Sequence, residues 1–210
     1  MNFETMTLND FAELLSSKNA VPGGGVASAC AGVLAACLAA MVGNLTVGKK
    51  KYSDVEEEMK QLIIRAEKSR ERLFDLANED AVAFAPLAQA YGLPKSTDEE
   101  RKAKDKLMEE ALLIASRAPL KIMETCCEVL DVLGEIAEKG SRIAISDAGV
   151  GALFAGAALK GAYLNVLINT DSLKDRENAD AINCKAVDMI ARYAPEAERI
   201  YEKIAGELKG

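Results

Sequence analysis

From residue 26 to residue 43 the chain is apolar or small throughout, with Ser28 as its only polar side chain. No other feature constrains the fold as much. The length approaches that of a membrane span. Ala, Gly and Cys dominate it, however, and these insert weakly, while Leu, Ile and Phe are few. A helix that is apolar on every side and rich in small residues belongs at the centre of a bundle or a dimer. A second such segment, residues 148–163, carries Lys160, which argues against a span there as well. Two buried Ala/Gly-rich central helices are therefore expected, and no membrane partner.

The rest of the chain reads as amphipathic helix. Thr7 with Asp10 resembles a capping pair for a first helix over about residues 7–17. Pro22-Gly23-Gly24-Gly25 cannot be helix interior. Ser53 with Glu56 reads as a capping box opening a long helix. Its stripe is Val55, Met59, Leu62, Ala66, Ser69, Leu73, Leu76, Asp80, Ala83, Leu87, alternating steps of four and three. That is a seam facing partner helices. Pro86 is expected to kink its last turns, and Tyr91-Gly92-Leu93-Pro94 to end it. Thr97 with Glu100 caps a further helix. Pro119 is placed in the first turn of the next one, which stops at Gly140. Ser146 or Asp147 is expected to cap the second small-residue helix. Two amphipathic helices, residues 176–193 and 195–208, close the chain. No segment has a strand pattern. The expectation is an all-α, single-domain helical bundle over residues 1–210, with seven to nine helices.

Composition narrows the chemistry. Aromatics are 5% and Trp is absent, so the core must be built from Ala, Leu, Ile, Val and Met. The net charge of −7, with no basic tail, lacks the footprint of a nucleic-acid binder. There is no His, so acid–base work falls to carboxylates, Lys, Tyr or Cys with environment-shifted pKa values. None of the five cysteines is spaced as C-x-x-C. Cys30 and Cys37 would lie about 10.5 Å apart along a helix, too far for a disulfide. All five are read as reduced core residues. The odd count, and an N-terminus without signal-peptide character, point to the cytoplasm.

Five groups of residues stand out as candidate chemistry. Gly23, Gly24 and Gly25 open a helix whose free amides suit an anion, although a tight interhelical turn explains them equally well. The run Asn44-Leu45-Thr46-Val47-Gly48-Lys49-Lys50-Lys51-Tyr52 places three lysines after a buried helix in an acidic chain. They serve as cations at a helix C-terminus, as plain solvated charge, or as a patch for an anionic ligand. Asp80 falls where the seam demands an apolar residue, so it is either salt-bridged or functional. Ser146 and Asp147 are first of all N-caps. Asn165 and Asn169 share a helix face, where they satisfy backbone groups or read a heterocycle.

Together these residues resemble the cyclodeaminase/cyclohydrolase family of one-carbon folate metabolism. The likeness runs through the glycine turn, the small-residue helix, the lysine block, Asp80 to Phe84, Tyr91-Gly92-Leu93-Pro94-Lys95, Pro119-Leu120, Ser146-Asp147-Ala148-Gly149-Val150 and Asn165-Val166. It covers nearly the whole chain in order. The chain departs from the family pattern with Val26-Ala27-Ser28 after the glycines. It departs again with Gly140-Ser141-Arg142, where relatives often have Gly-Asn. If that Asn binds substrate in relatives, Ser141 or Arg142 must compensate.

The resemblance implies an all-α homodimer that binds reduced folate. The length and the lysine and Tyr-Gly-Leu-Pro-Lys blocks look most like bacterial methenyltetrahydrofolate cyclohydrolases. Those hydrolyse 5,10-methenyltetrahydrofolate to 10-formyltetrahydrofolate. Formiminotetrahydrofolate cyclodeamination, which releases ammonia, is the alternative. A non-catalytic helical scaffold is a more distant one. On the resemblance, Asp80 is base or cation stabiliser, Lys49 donates or relays a proton, and Asp147 is a second carboxylate. Gly23, Gly24, Gly25, Ser28, Asn44, Thr46 and Asn165 would line the pterin site, while Lys50, Lys51 and Lys95 would hold the glutamate tail. No metal and no cofactor beyond the tetrahydrofolate substrate is called for. The reading requires the glycine turn, the lysine triplet and Asp80 to meet around one pterin-sized cavity, within one chain or with a second subunit.

Overall fold

The computed structural model describes residues 2–209, and among them every regular element is a helix. Six α-helices follow in order: α1 Leu8–Leu15, α2 Gly24–Asn44, α3 Glu56–Gly92, α4 Asp98–Lys139, α5 Ile145–Asp171 and α6 Arg176–Lys209. Short 3-10 turns, Lys50–Val55 and Arg142–Ala144, lead into α3 and α5.

The two small-residue segments are the central pair, α2 and α5, and they run antiparallel. Gly24 sits by Asn165 and Gly151 by the Ala35 carbonyl, so the start of one helix meets the end of the other. Small residues set how close the bundle packs. A Cβ on Gly156 would stand 2.9 Å from that of Ala197 on α6, and one on Gly32 would stand 3.0 Å from Leu73. Helix α4 lies behind the pair, α3 flanks α2 and α6 flanks α5. The core between them is Leu73, Leu76, Ile122, Met123, Leu130, Leu133, Ile136 and Leu159, with Val26, Ala36 and Ala39 from α2. Truncating one of these leucines to Ala costs about 2–5 kcal/mol.

The front of the central pair is left bare. Leu34, Met41 and Leu45 on α2, and Val150, Leu153, Phe154, Leu164 and Ile168 on α5, are exposed. On α2 and its cap residue Leu45 the steps are seven and four, and on α5 the five residues fall on one face, bridged by Ala157 and Gly161. Leu164 is 65% exposed and Ile168 67%, values that a lone soluble helix bundle rarely gives adjacent apolar residues.

Two caps form as expected. Thr7 Oγ1 accepts from the Asp10 amide, and Thr97 and Glu100 bond reciprocally. Three expectations are corrected. The helices number six, not seven to nine, because Pro119 and Pro195 lie inside α4 and α6. Pro119 leaves the Ala115 carbonyl without its intrahelical donor. Asn169 Nδ2 on α5 donates to that carbonyl at 3.0 Å, and α4 continues. Pro195 frees the carbonyl of Ala191, which is exposed and open to water. Ser53 does not cap α3: its hydroxyl donates to the Lys50 carbonyl at 3.1 Å within the 3-10 turn, and Val55 is the cap residue. Nor does Ser146 or Asp147 cap α5. Ala144 holds that position, and both residues lie in the first turn. There the Asp147 carboxylate still faces the positive end of the helix dipole.

Candidate active site

At the N-terminal end of α2 the seam of α3 meets the glycine turn. Asp80, Phe84, Leu87 and Tyr91 are spaced i, i+4, i+7, i+11, so they project from one face of α3. They line a cleft of about 210 Å³ together with Gly23, Gly24, Gly25, Pro119, Asn165 and Ile168. Gly25 has no side chain because none fits: a Cβ there would overlap the Asp80 carboxylate. Gly23 gives α2 no side-chain cap. The Asp80 carboxylate takes that role from another helix, accepting from the Val26 amide. Burial raises its pKa from 3.8 to about 6, and the Val26 hydrogen bond opposes the rise. A carboxyl held near neutrality at the edge of a cleft is suited to giving and taking protons.

Asn165 and Asn169 divide the two roles left open by the sequence. Asn169 repairs α4, as described, and also lines the cleft. Asn165 Nδ2 donates to its own helix at the Gly161 carbonyl, 2.9 Å away, and its amide group borders Gly24 at the mouth of the cleft. Phe84, Tyr91 and Ile168 were not singled out from sequence. Their helical spacing from Asp80 and Asn165 was the available signal.

The lysine block lies at the other end of α2. With 21 residues in that helix, the glycine turn and Lys49 are about 30 Å apart. The structure thus joins the glycines to Asp80 and separates both from the lysines. At the lysine end Thr46 is buried, donating to the Val42 carbonyl at 2.7 Å and accepting from the Ser141 amide at 2.8 Å. Lys49 Nζ donates to Ser141 Oγ at 3.0 Å, and the Arg142 amide donates to the Tyr52 hydroxyl at 3.1 Å. Asn44, Lys50 and Lys51 are exposed, and Asp147 is half-buried nearby in the first turn of α5. Lys51 Nζ stands 5.5 Å from the Tyr52 ring centre. Ser28 lines neither region. Its hydroxyl donates to the Gly24 carbonyl at 2.7 Å, packed against Gly161 at the α2–α5 crossing. Lys95 lies in the exposed link after α3, four residues beyond Tyr91.

The cysteines take no part in this chemistry. All five are free thiols. Burial pushes the Cys126 thiol up strongly and that of Cys127 to about 12, so neither ionises near neutrality.

Comparison with known proteins bears on the family and the fold. The formiminotransferase-cyclodeaminase family matches residues 7–188. A methenyltetrahydrofolate cyclohydrolase of Methylorubrum extorquens is 41% identical over 96% of this chain and 97% of its own. Mouse formimidoyltransferase-cyclodeaminase is 33% identical over 97% of this chain, which spans 37% of that longer protein. The crystal structure of a formiminotetrahydrofolate cyclodeaminase from Thermotoga maritima superposes with a TM-score of 0.87, at 29% identity, over 98% of both chains. On fold, length and sequence together, the chain belongs to the formiminotransferase-cyclodeaminase family.

Proposed function

We propose that the protein is a methenyltetrahydrofolate cyclohydrolase, a cytoplasmic homodimer whose two sites are each shared between subunits. Asp80, the near-neutral carboxyl against the glycine turn, carries the chemical half of this reading. Near-full-length similarity to the Methylorubrum enzyme supports the substrate.

The substrate's amidinium carbon lies between two nitrogens and is cationic. Asp80 removes a proton as water adds to that carbon. The tetrahedral product then loses one carbon–nitrogen bond, and the leaving nitrogen takes a proton supplied from Lys49. The hydroxyl proton leaves as the formyl group forms, so one proton is released overall. Positioned acid–base groups of this kind contribute about 10²–10⁴ in rate each. Gly23, Gly24, Gly25 and Asn165 offer donors to the pterin, and Phe84 and Tyr91 a stacking surface. Asn44 and Thr46 flank the lysine half and Asp147 is its carboxylate. Lys50, Lys51 and Lys95 suit the acidic tail. Ser28 serves by fixing the first turn of α2. None of these steps draws on a metal or a redox cofactor.

The dimer follows from the bare stripe. Its two ends are the glycine end and the lysine end of α2. A two-fold axis lying in that face and crossing the helices sets the lysine end of one subunit over the glycine end of the other. Burying the stripe removes a contiguous apolar surface from water, at about 25 cal/mol per Å².

The test follows methenyltetrahydrofolate absorbance with the wild-type protein and with Asp80→Asn. Turnover by the wild type that drops at least a hundredfold in a folded Asp80→Asn variant supports the assignment. Equal rates remove Asp80 from the mechanism. Ammonia release from formiminotetrahydrofolate, with the methenyl compound untouched, would make the protein a cyclodeaminase, the reading favoured by the Thermotoga fold. Failure to bind any reduced folate would leave a helical scaffold.

A further inference from the structure

The lysine half-site contains a hydrogen-bonded chain that the lysines alone do not account for. Lys49 Nζ donates to Ser141 Oγ at 3.0 Å. Ser141 is fully buried, and its amide is fixed by Thr46 Oγ1 at 2.8 Å, so the hydroxyl cannot wander. That hydroxyl lies beside the Tyr52 phenol, whose oxygen accepts from the Arg142 amide at 3.1 Å.

The charges around the phenol have the matching sign. Lys49 and Lys51 face it from its own segment. On the α5 side the Arg142 guanidinium is occupied by Glu207 of α6 at 2.6 Å. The Arg142 hydrogen bond, the neighbouring Ser141 hydroxyl and the two lysines together hold the phenol below its ordinary pKa, against the opposing effect of burial. Preorganised donors aimed at a developing oxyanion are the usual means of making such a group a better acid.

We propose that Tyr52 is the terminal proton donor of the reaction, recharged by Lys49 through the Ser141 hydroxyl. The proposal rests on the cyclohydrolase reading and deepens it. As the carbon–nitrogen bond breaks, its electron pair stays on nitrogen and the Tyr52 O–H proton moves to that nitrogen. The phenolate takes the Ser141 hydroxyl proton, and Ser141 takes one from the Lys49 ammonium. Solvent reprotonates the Lys49 amine. In a chain without His this relay supplies the acid opposite the partner's base.

Two measurements test it. In the first, the phenols of the substrate-free protein are titrated by ultraviolet difference absorbance. One of the five tyrosines should ionise ahead of the others, vanish in Tyr52→Phe and shift upward in Ser141→Ala. Five tyrosines titrating together would overturn the relay, and this arm needs no folate. In the second, Tyr52→Phe, checked to melt as the wild type does, should lower kcat about a hundredfold or more. KM should stay within about threefold, and the basic limb of the kcat–pH profile should be lost, with Ser141→Ala intermediate. A Tyr52→Phe enzyme with kcat within about threefold of wild type, or with only KM raised, would overturn it. Wild-type protein inert on methenyltetrahydrofolate would instead sink the cyclohydrolase reading, and the phenol titration would still decide for or against the relay.

Discussion

The two ends of α2 are built on opposite principles. At the glycine end a half-buried carboxylate faces a helix N-terminus, apolar walls close around it, and its pKa is pushed up to about 6. At the lysine end the polar atoms are satisfied by one another through Thr46, Ser141, Lys49 and Tyr52, and the charges stay in water. No lysine or arginine lines the cleft at the first end, and the lysine triplet stands at the second. The difference teaches why the proposed dimer is needed: a helix about 30 Å long holds the two ends too far apart to meet within one chain.

The largest effect should come from breaking that union. Leu153→Asp or Leu34→Asp puts a charge in the bare stripe without touching either end. The variants are expected to sediment as folded monomers, with turnover down by more than a hundredfold. A monomer of full activity would place the whole site in one chain. Next comes the pH dependence of the glycine end. Asp80 holds its proton to about pH 6 when folded and to about 3.8 when unfolded. The folded state therefore binds more protons between those values, and stability falls as pH rises from about 4 to 6. The deficit, on the order of 2–3 kcal/mol, persists at higher pH. Denaturant titrations should show Asp80→Asn more stable than wild type at pH 8 and nearly equal to it at pH 4, while wild-type kcat/KM falls below about pH 6. A variant less stable at pH 8 would mean that the Val26 hydrogen bond outweighs the cost of burying the charge. The smallest effect on chemistry is expected at Asn169→Leu. It orphans the Ala115 carbonyl and costs about 1–3 kcal/mol of stability, with kcat within about threefold.

Much of the glycine end was legible in the sequence. Asp80 announced itself because the seam of α3 required an apolar residue there, and Gly25 lies against it. The two small-residue helices were legible from their composition, and they occupy the centre. The number of helices was not. Whether Pro119 ends a helix depends on Asn169, whose amide reaches the Ala115 carbonyl 54 residues away, a pairing that local pattern does not show. The Tyr52–Arg142 contact spans 90 residues and is invisible for the same reason. The separation of the half-sites is different in kind. The rise per residue already set Lys49 far from Gly25. What one chain's periodicity lacks is how a second copy would sit against it.

The shared site is tested most directly by mixing two inactive variants. Asp80→Asn damages only the glycine end and Lys49→Met only the lysine end. When the two are unfolded together and refolded as a mixture, about half the dimers are heterodimers. Each heterodimer carries one site with both defects and one with neither. Recovery of about a quarter of wild-type turnover is the expected result, and a mixture as inactive as its parents would contradict a site built from two subunits.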